Sequence, residues 1–122
     1  FKQMGNGNHL ILDLYDCDPD ILDDYAELQD ALETALLMSN AKILQIIGEK
    51  FRPYGVTLLA LLSESHASIH TWPEIGYCAI DLYTCGKDTD NEKAERYLRN
   101  KLMAGQFEKK EIVRSTTPAI SV

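Results

Sequence analysis

Basic residues, cysteines and long apolar runs are all scarce in this chain of 122 residues. Twelve lysines and arginines stand against 19 acidic residues, and the net charge of −7 argues against binding to a phosphate backbone. Three cysteines without CxxC spacing indicate neither a disulfide framework nor a structural zinc site, and predict free thiols. No apolar run approaches ~20 residues and no secretion signal is visible, so we expect a cytoplasmic protein without nucleic-acid or membrane partners.

The composition that remains is typical of a globular protein, with 45% apolar and 25% charged residues. A chain of this length can bury a substantial core but rarely divides into two. We therefore expect a single domain over residues 1–122.

The hydrophobic pattern predicts the order strand, helix, three strands, helix, strand. Residues 9–17 alternate as a strand, and Asp18 followed by Pro19 is typical of a helix start, with apolar positions recurring up to Ser39. The acidic residues of this helix are predicted to form its solvated face: Asp20, Asp23, Asp24 and Glu27. The remaining elements are predicted at 41–51, 56–65 and 77–85 for strands, 90–104 for a helix, and 109–117 for a last strand.

This order predicts an α+β fold, a two-layer α/β sandwich with a mostly antiparallel sheet and both helices on one face. Two amphipathic helices cover one face of such a sheet and leave the other open. The open face either is polar or is covered by a second copy, and we expect a homodimer.

Chemically versatile residues crowd into "SESHASIHTWPEIGY", residues 63–77, which holds two of the three histidines and the only tryptophan. His66 and His70 have the spacing of metal ligands on a helix, but the segment does not look helical and a third ligand is missing. We expect no metal. No GxSxG motif surrounds a serine, and hydroxyls at strand ends usually bond the turn backbone, so spacing alone indicates only a possible site.

The longer segment "SESHASIHTWPEIGYCAIDLYTCG" (63–86), with "RPYGVT" (52–57) and "GNHLILDLYDCD" (7–18), resembles the short, prokaryotic type of S-adenosylmethionine decarboxylase. The resemblance covers nearly the whole chain and is densest over 51–86. It implies a lyase made as a zymogen, with a small α/β sandwich fold that dimerises. Its product would be the aminopropyl donor for spermidine, and hence for polyamine biosynthesis.

The resemblance also implies autocatalytic cleavage between Glu64 and Ser65. By analogy Ser65 attacks the carbonyl carbon of Glu64, β-elimination separates 1–64 from 65–122, and residue 65 becomes a pyruvoyl group. The pyruvoyl ketone forms a Schiff base with the substrate amine and acts as an electron sink, without pyridoxal phosphate or a metal.

Three further positions receive roles from the resemblance. His70 matches the processing histidine, and Thr57 lies where relatives carry a hydroxyl that can assist the acyl shift. Cys85 of "TCG" is the proton donor for decarboxylation, although a lone cysteine at a strand end is otherwise a small buried hydrophobe. Cys17 and Cys78 keep that second interpretation.

Substrate contacts are predicted from the sulfonium cation and adenine ring of S-adenosylmethionine, which suit aromatic faces and a carboxylate. Phe51 and Trp72 are candidates for stacking, and Glu74 for the ribose hydroxyls or for charge pairing. Core packing of the aromatics and a solvated glutamate are equally open.

Two other functions stay open. A pyruvoyl-dependent ornithine or arginine decarboxylase of the same family would keep the cofactor chemistry and change the pocket; "TWPE" favours the nucleoside, while Arg52 and "GNH" keep the other substrates in view. A non-processing regulatory homologue is the second alternative, against which the retained catalytic candidates argue.

Overall fold

The computed structural model describes residues 6–85 and 89–118. Its strands are β1 (Gly7–Tyr15), β2 (Ile43–Lys50), β3 (Val56–Leu62), β4 (His66–Trp72), β5 (Tyr77–Cys85) and β6 (Gln106–Arg114), and its helices are α1 (Pro19–Leu22), α2 (Tyr25–Met38) and α3 (Asn91–Lys101). The strands form one sheet in the order β2-β3-β4-β5-β1-β6, with every neighbouring pair antiparallel. The predicted α+β fold class is confirmed.

Strict alternation along the strands gives the sheet one face for the helices and one open face. On β1, Leu10, Leu12 and Leu14 are buried, and α2 buries a leucine and alanine stripe against the same core. Every large side chain of this core is aliphatic, and the fully buried ones are Leu10, Leu12, Leu14, Leu22, Leu28, Leu32, Leu36, Leu58, Ile69, Ile80, Leu82 and Leu98. In the ranges that the structure covers, no helix is long and apolar enough to span a membrane.

The predicted order of strands is one strand short, because β4 was taken for irregular chain. Its core-facing positions are Ala67, Ile69 and Thr71, of which two are too small or too polar to show the alternation clearly. The strand forms because β3 and β5 pair with it on both sides. The preceding strand accordingly ends at Leu62 instead of continuing to Ser65.

The single predicted helix is divided into α1 and α2. Asp18 caps α1 by accepting from the Asp20 amide at 2.9 Å, and Asp24 caps α2 by accepting from the Glu27 amide at 3.1 Å. A second capping aspartate inside the acidic run therefore starts a new helix.

Asp23 is not part of a solvated face, contrary to the sequence prediction. Its carboxylate accepts from the Gly55 amide at 2.9 Å and pairs with Lys50 Nζ at 2.9 Å. The Gly55 N–H and the Lys50 ammonium lower the pKa of Asp23. This carboxylate therefore ties the junction of the helices to the loop between β2 and β3.

The last strand lies three residues earlier than predicted, at Gln106–Arg114 instead of 109–117. Its ends follow the pairing with β1, in which Tyr15 faces Gln106 and Gly7 faces Arg114.

Candidate active site

The predicted cleavage site lies in the turn between β3 and β4. The Leu62 amide donates to the Ser65 carbonyl at 3.0 Å, which closes a two-residue loop of Ser63 and Glu64. The Ser63 amide donates to the Lys42 carbonyl at 3.0 Å and fixes the loop to the segment that precedes β2. Glu64 and Ser65 are both half-buried.

Cys85 ends β5 beside this turn. Tyr83 faces His66 in the β4–β5 ladder, and continuing that register by two residues brings Cys85 level with Glu64. Neighbouring strands lie about 4.8 Å apart. This extended register puts the end of β5 next to the turn, and we name Glu64, Ser65 and Cys85 the turn group.

Cys17 and Cys78 are buried free thiols, as predicted, whereas Cys85 is partly exposed. Burial raises the pKa of Cys17 to about 11, and burial likewise raises the pKa of Cys78. A buried neutral thiol is inert, so Cys85 is the accessible thiol among the described residues.

Thr57 and His70 form a second group, which we name the histidine pair. They face each other across the β3–β4 ladder, and Thr57 Oγ1 lies 3.1 Å from His70 Nδ1. The hydroxyl fixes the orientation of the ring and leaves Nε2 as the nitrogen available for proton transfer.

The histidine pair does not reach the turn group within one chain. His70 lies four residues beyond His66 on β4, which at ~3.3 Å per residue puts their Cα atoms about 13 Å apart. Ser65 is one residue further away. The sequence placed these residues in a single site, whereas the strand separates them along its length.

Trp72 stands at the end of β4 that carries the histidine pair. Its ring stacks on Tyr77 with centroids 5.2 Å apart and lies 6.5 Å from the His70 ring. Tyr77 stacks in turn on Tyr15 at 5.5 Å and donates to Asp13 at 2.5 Å, a hydrogen bond that, with burial, raises the pKa of Tyr77. Three aromatic rings therefore form a row on the open face, and Trp72 is its exposed end.

Phe51 and Glu74 occupy the same end of the sheet. Phe51 is exposed, and its amide donates to the Gly55 carbonyl at 2.8 Å in the loop that precedes β3. Glu74 lies in a short 3-10 turn, Pro73–Ile75. It lines a surface depression of about 270 Å³ that is also lined by two aspartates. The other residues that line it are Pro19, Asp20, Asp23, Tyr54 and Pro73.

β3 is nearly all apolar, yet two of its leucines face outward. Leu59 is 46% exposed and Leu61 is 54% exposed, and Ile47 of β2 is 53% exposed beside them. They border a depression of about 400 Å³ on the open face that extends to His66. An apolar surface of this kind next to the turn group indicates a partner surface.

Tyr83 is the site residue that sequence reasoning missed. Its ring lies 5.4 Å from the ring of His66, 5.9 Å from that of His9, and 5.2 Å from Arg114 Cζ. The signal available in the sequence was the two-residue spacing to Cys85, which puts both side chains on one face of β5.

Comparison with known proteins gives consistent results. Residues 8–115 match the family model described as S-adenosylmethionine decarboxylase. The S-adenosylmethionine decarboxylase proenzyme of Synechococcus sp. (strain WH7803) is 49% identical over 115 residues, covering 94% of this chain and 90% of the relative. The proenzyme of the same name from Methanococcus aeolicus is 46% identical over 102 residues, 84% of this chain and 87% of the relative. The crystal structure of the adenosylmethionine decarboxylase from Aquifex aeolicus VF5 matches with a TM-score of 0.86 at 32% identity, covering 98% of this chain and 99% of that one.

Proposed function

The chain belongs to the S-adenosylmethionine decarboxylase family, and we propose that it cuts itself between Glu64 and Ser65 and then decarboxylates S-adenosylmethionine. The observation that carries the proposal is the closed β3–β4 turn, with Ser65 held in it and Cys85 level with Glu64 on the next strand. The product would serve as the aminopropyl donor for spermidine synthesis.

Cleavage begins at Ser65, whose position suits the formation of a pyruvoyl group. The Ser65 Oγ adds to the Glu64 carbonyl carbon and the amide C–N bond breaks, which leaves an ester. Loss of the Ser65 Cα proton then breaks the Cβ–Oγ bond, and residues 1–64 depart with a carboxylate. The resulting dehydroalanine moves a proton from its nitrogen to Cβ and becomes an imine. Water then hydrolyses the imine, which leaves the ketone at residue 65 and releases the nitrogen as ammonia. The hydrogen-bonded turn supports this order of steps because it restricts the backbone around the Ser65 hydroxyl and the Glu64 carbonyl.

The pyruvoyl group supplies an electron sink for the loss of CO2. Cys85, beside residue 65, is proposed to return a proton to the former α-carbon of the substrate. A thiol in this role must stay reduced, which supports the expected cytoplasmic location.

The proton acceptor for cleavage is proposed to come from a second copy of the chain. The histidine pair lies too far from Ser65 of its own chain, because His70 is five residues from Ser65 and the chain between them is extended in β4. Packing two open faces together sets the histidine pair of one copy against the turn group of the other. His70 then accepts the Ser65 Cα proton, and Thr57 orients the ring.

Exposed apolar side chains support this homodimer. Ile47, Leu59 and Leu61 lie on the open face, and their burial against a second copy provides the hydrophobic contribution that association requires. A two-fold axis would use this surface twice and complete two sites.

The row of aromatic rings supports the proposed binding of the nucleoside. Trp72 presents an exposed face at the end of the row, and Phe51 lies exposed at the same end of the sheet. Because this is the end that the proposed dimer sets against the turn group of the other copy, both can stack on the adenine or contact the sulfonium cation of a substrate bound there. Glu74 is proposed to bind the ribose hydroxyls or to pair with the positive charge.

Intact-mass analysis of the purified protein tests the proposal. We expect fragments 1–64 and 65–122, the second lighter than its encoded mass by the conversion of serine to pyruvoyl. Release of labelled CO2 from S-adenosylmethionine, ornithine and arginine, compared side by side, then identifies the substrate. Release from ornithine or arginine alone would replace the proposed substrate, and an uncleaved chain would favour a regulatory homologue.

A further inference from the structure

Tyr83 and Cys85 lie on the same face of β5, and Gly7 of β1 lies opposite Cys85. A Cβ atom added to Gly7 would overlap the Tyr83 hydroxyl. The phenol therefore leans along the strand from its own position toward the level of Cys85, over the one residue of β1 that has no side chain. Gly7 is thus required here for space.

The Gly7 contact and the shared face of β5 place the Tyr83 hydroxyl beside Cys85. Hydrogen bonding to Cys85, followed by burial, raises the pKa of Tyr83. A phenol with a raised pKa keeps its proton at neutral pH and acts as the donor. The guanidinium of Arg114 lies 5.2 Å from the centroid of the ring on one side, and His66 packs at 5.4 Å. These contacts hold the ring in the orientation that the hydrogen bond needs.

We propose that Tyr83 is a positioning residue that donates a hydrogen bond to Cys85 Sγ and aims the thiol at the substrate. The inference rests on the proton-donor role proposed for Cys85. When the thiol gives up its proton, negative charge develops on sulfur, and a donor already in place stabilises that charge without rearrangement. Tyr83 acts through Cys85 and does not itself form or break a covalent bond.

The test is Tyr83→Phe in the full chain, which removes the donor and keeps the ring. We expect normal cleavage by intact mass, kcat about tenfold lower and KM within about twofold, the scale of one hydrogen bond to a charged group. The second measurement is the rate of Cys85 alkylation by iodoacetamide as a function of pH, followed by peptide mass analysis. In the variant this rate should rise at a pH about one unit higher than in the wild type.

Two variants sharpen the result. Gly7→Ala should reproduce the shifted alkylation profile with the tyrosine intact, because the new methyl group displaces the phenol. Tyr97→Phe on α3 removes a hydroxyl from the helical layer and should leave the turnover and the profile at wild-type values.

Wild-type kcat with an unshifted alkylation profile in Tyr83→Phe would overturn the inference. The alkylation profile decides even if the variant fails to cleave, because the thiol is present before and after processing. Full turnover in Cys85→Ala would instead refute the proton-donor role, and is a separate observation from the profile.

Discussion

Thr57 Oγ1 lies 3.1 Å from His70 Nδ1 across the β3–β4 ladder, so the proposed processing histidine has its ring held by a hydroxyl on the neighbouring strand. If Nδ1–H donates to the threonine oxygen, Nε2 is the basic nitrogen and can accept a proton. The threonine thereby determines which nitrogen of His70 is the base.

Replacing Thr57 by valine should slow self-cleavage about three- to tenfold, the scale of one lost hydrogen bond. Valine keeps the shape and removes only the hydroxyl. The measurement is the fraction of cleaved chain against time by intact mass. Thr57→Ser is the matched control and should cleave at close to the wild-type rate; equal slowing in both variants would point to packing instead.

Ser65→Ala should abolish cleavage and leave one full-length chain, because no hydroxyl remains to attack the Glu64 carbonyl. Cys85→Ala should cleave normally and lose most of its turnover. Mass analysis and CO2 release, run on the same preparations, separate these two defects. Cleavage in Ser65→Ala would mean that another bond is cut.

Mixed dimers test whether His70 acts on the other chain. His70→Ala alone is expected to remain uncleaved, and so is Ser65→Ala. When differently tagged copies of the two are co-expressed, Ser65 of the first meets His70 of the second, so the His70→Ala chain should be cleaved. If it stays intact in purified mixed dimers, the proposed contact between copies is wrong.

Leu59→Asp should convert the protein to a monomer that no longer cleaves. Two open faces can pack only if the new carboxylate loses its water. Burying an unpaired charge in this way costs on the order of several kcal/mol. Sedimentation velocity reports the mass, and circular dichroism should show unchanged secondary structure. A dimer that persists would place the interface elsewhere.

Asp23→Asn should remove a stabilising contribution that operates at neutral pH. The pKa of Asp23 is lowered in the folded chain, so its carboxylate stabilises the fold above the unfolded value of about 3.9, and the contribution disappears as pH falls through the lower folded value. Urea unfolding at several pH values should show a smaller difference between variant and wild type in acid. Asp20→Asn, at an exposed carboxylate, is the control.

The sequence indicated the fold class and most elements because their signals are local. Asp18 before Pro19 marked the first helix start correctly, and the alternation over residues 9–17 correctly predicted β1. β4 escaped notice since Ala67 and Thr71 carry little hydrophobic signal, and pairing on both sides makes the strand.

The residues of the candidate site were also nameable from the sequence, because motif and chemistry reside in residue types and spacing. The sequence did not show which of these residues lie close together, because the distance between two residues depends on whether the chain between them is extended. Only the tertiary structure separated the histidine pair from the turn group and brought Tyr83 of β5 over Gly7 of β1. The pairing register of the strands decided both arrangements, and that register depends on residues that are distant in the sequence.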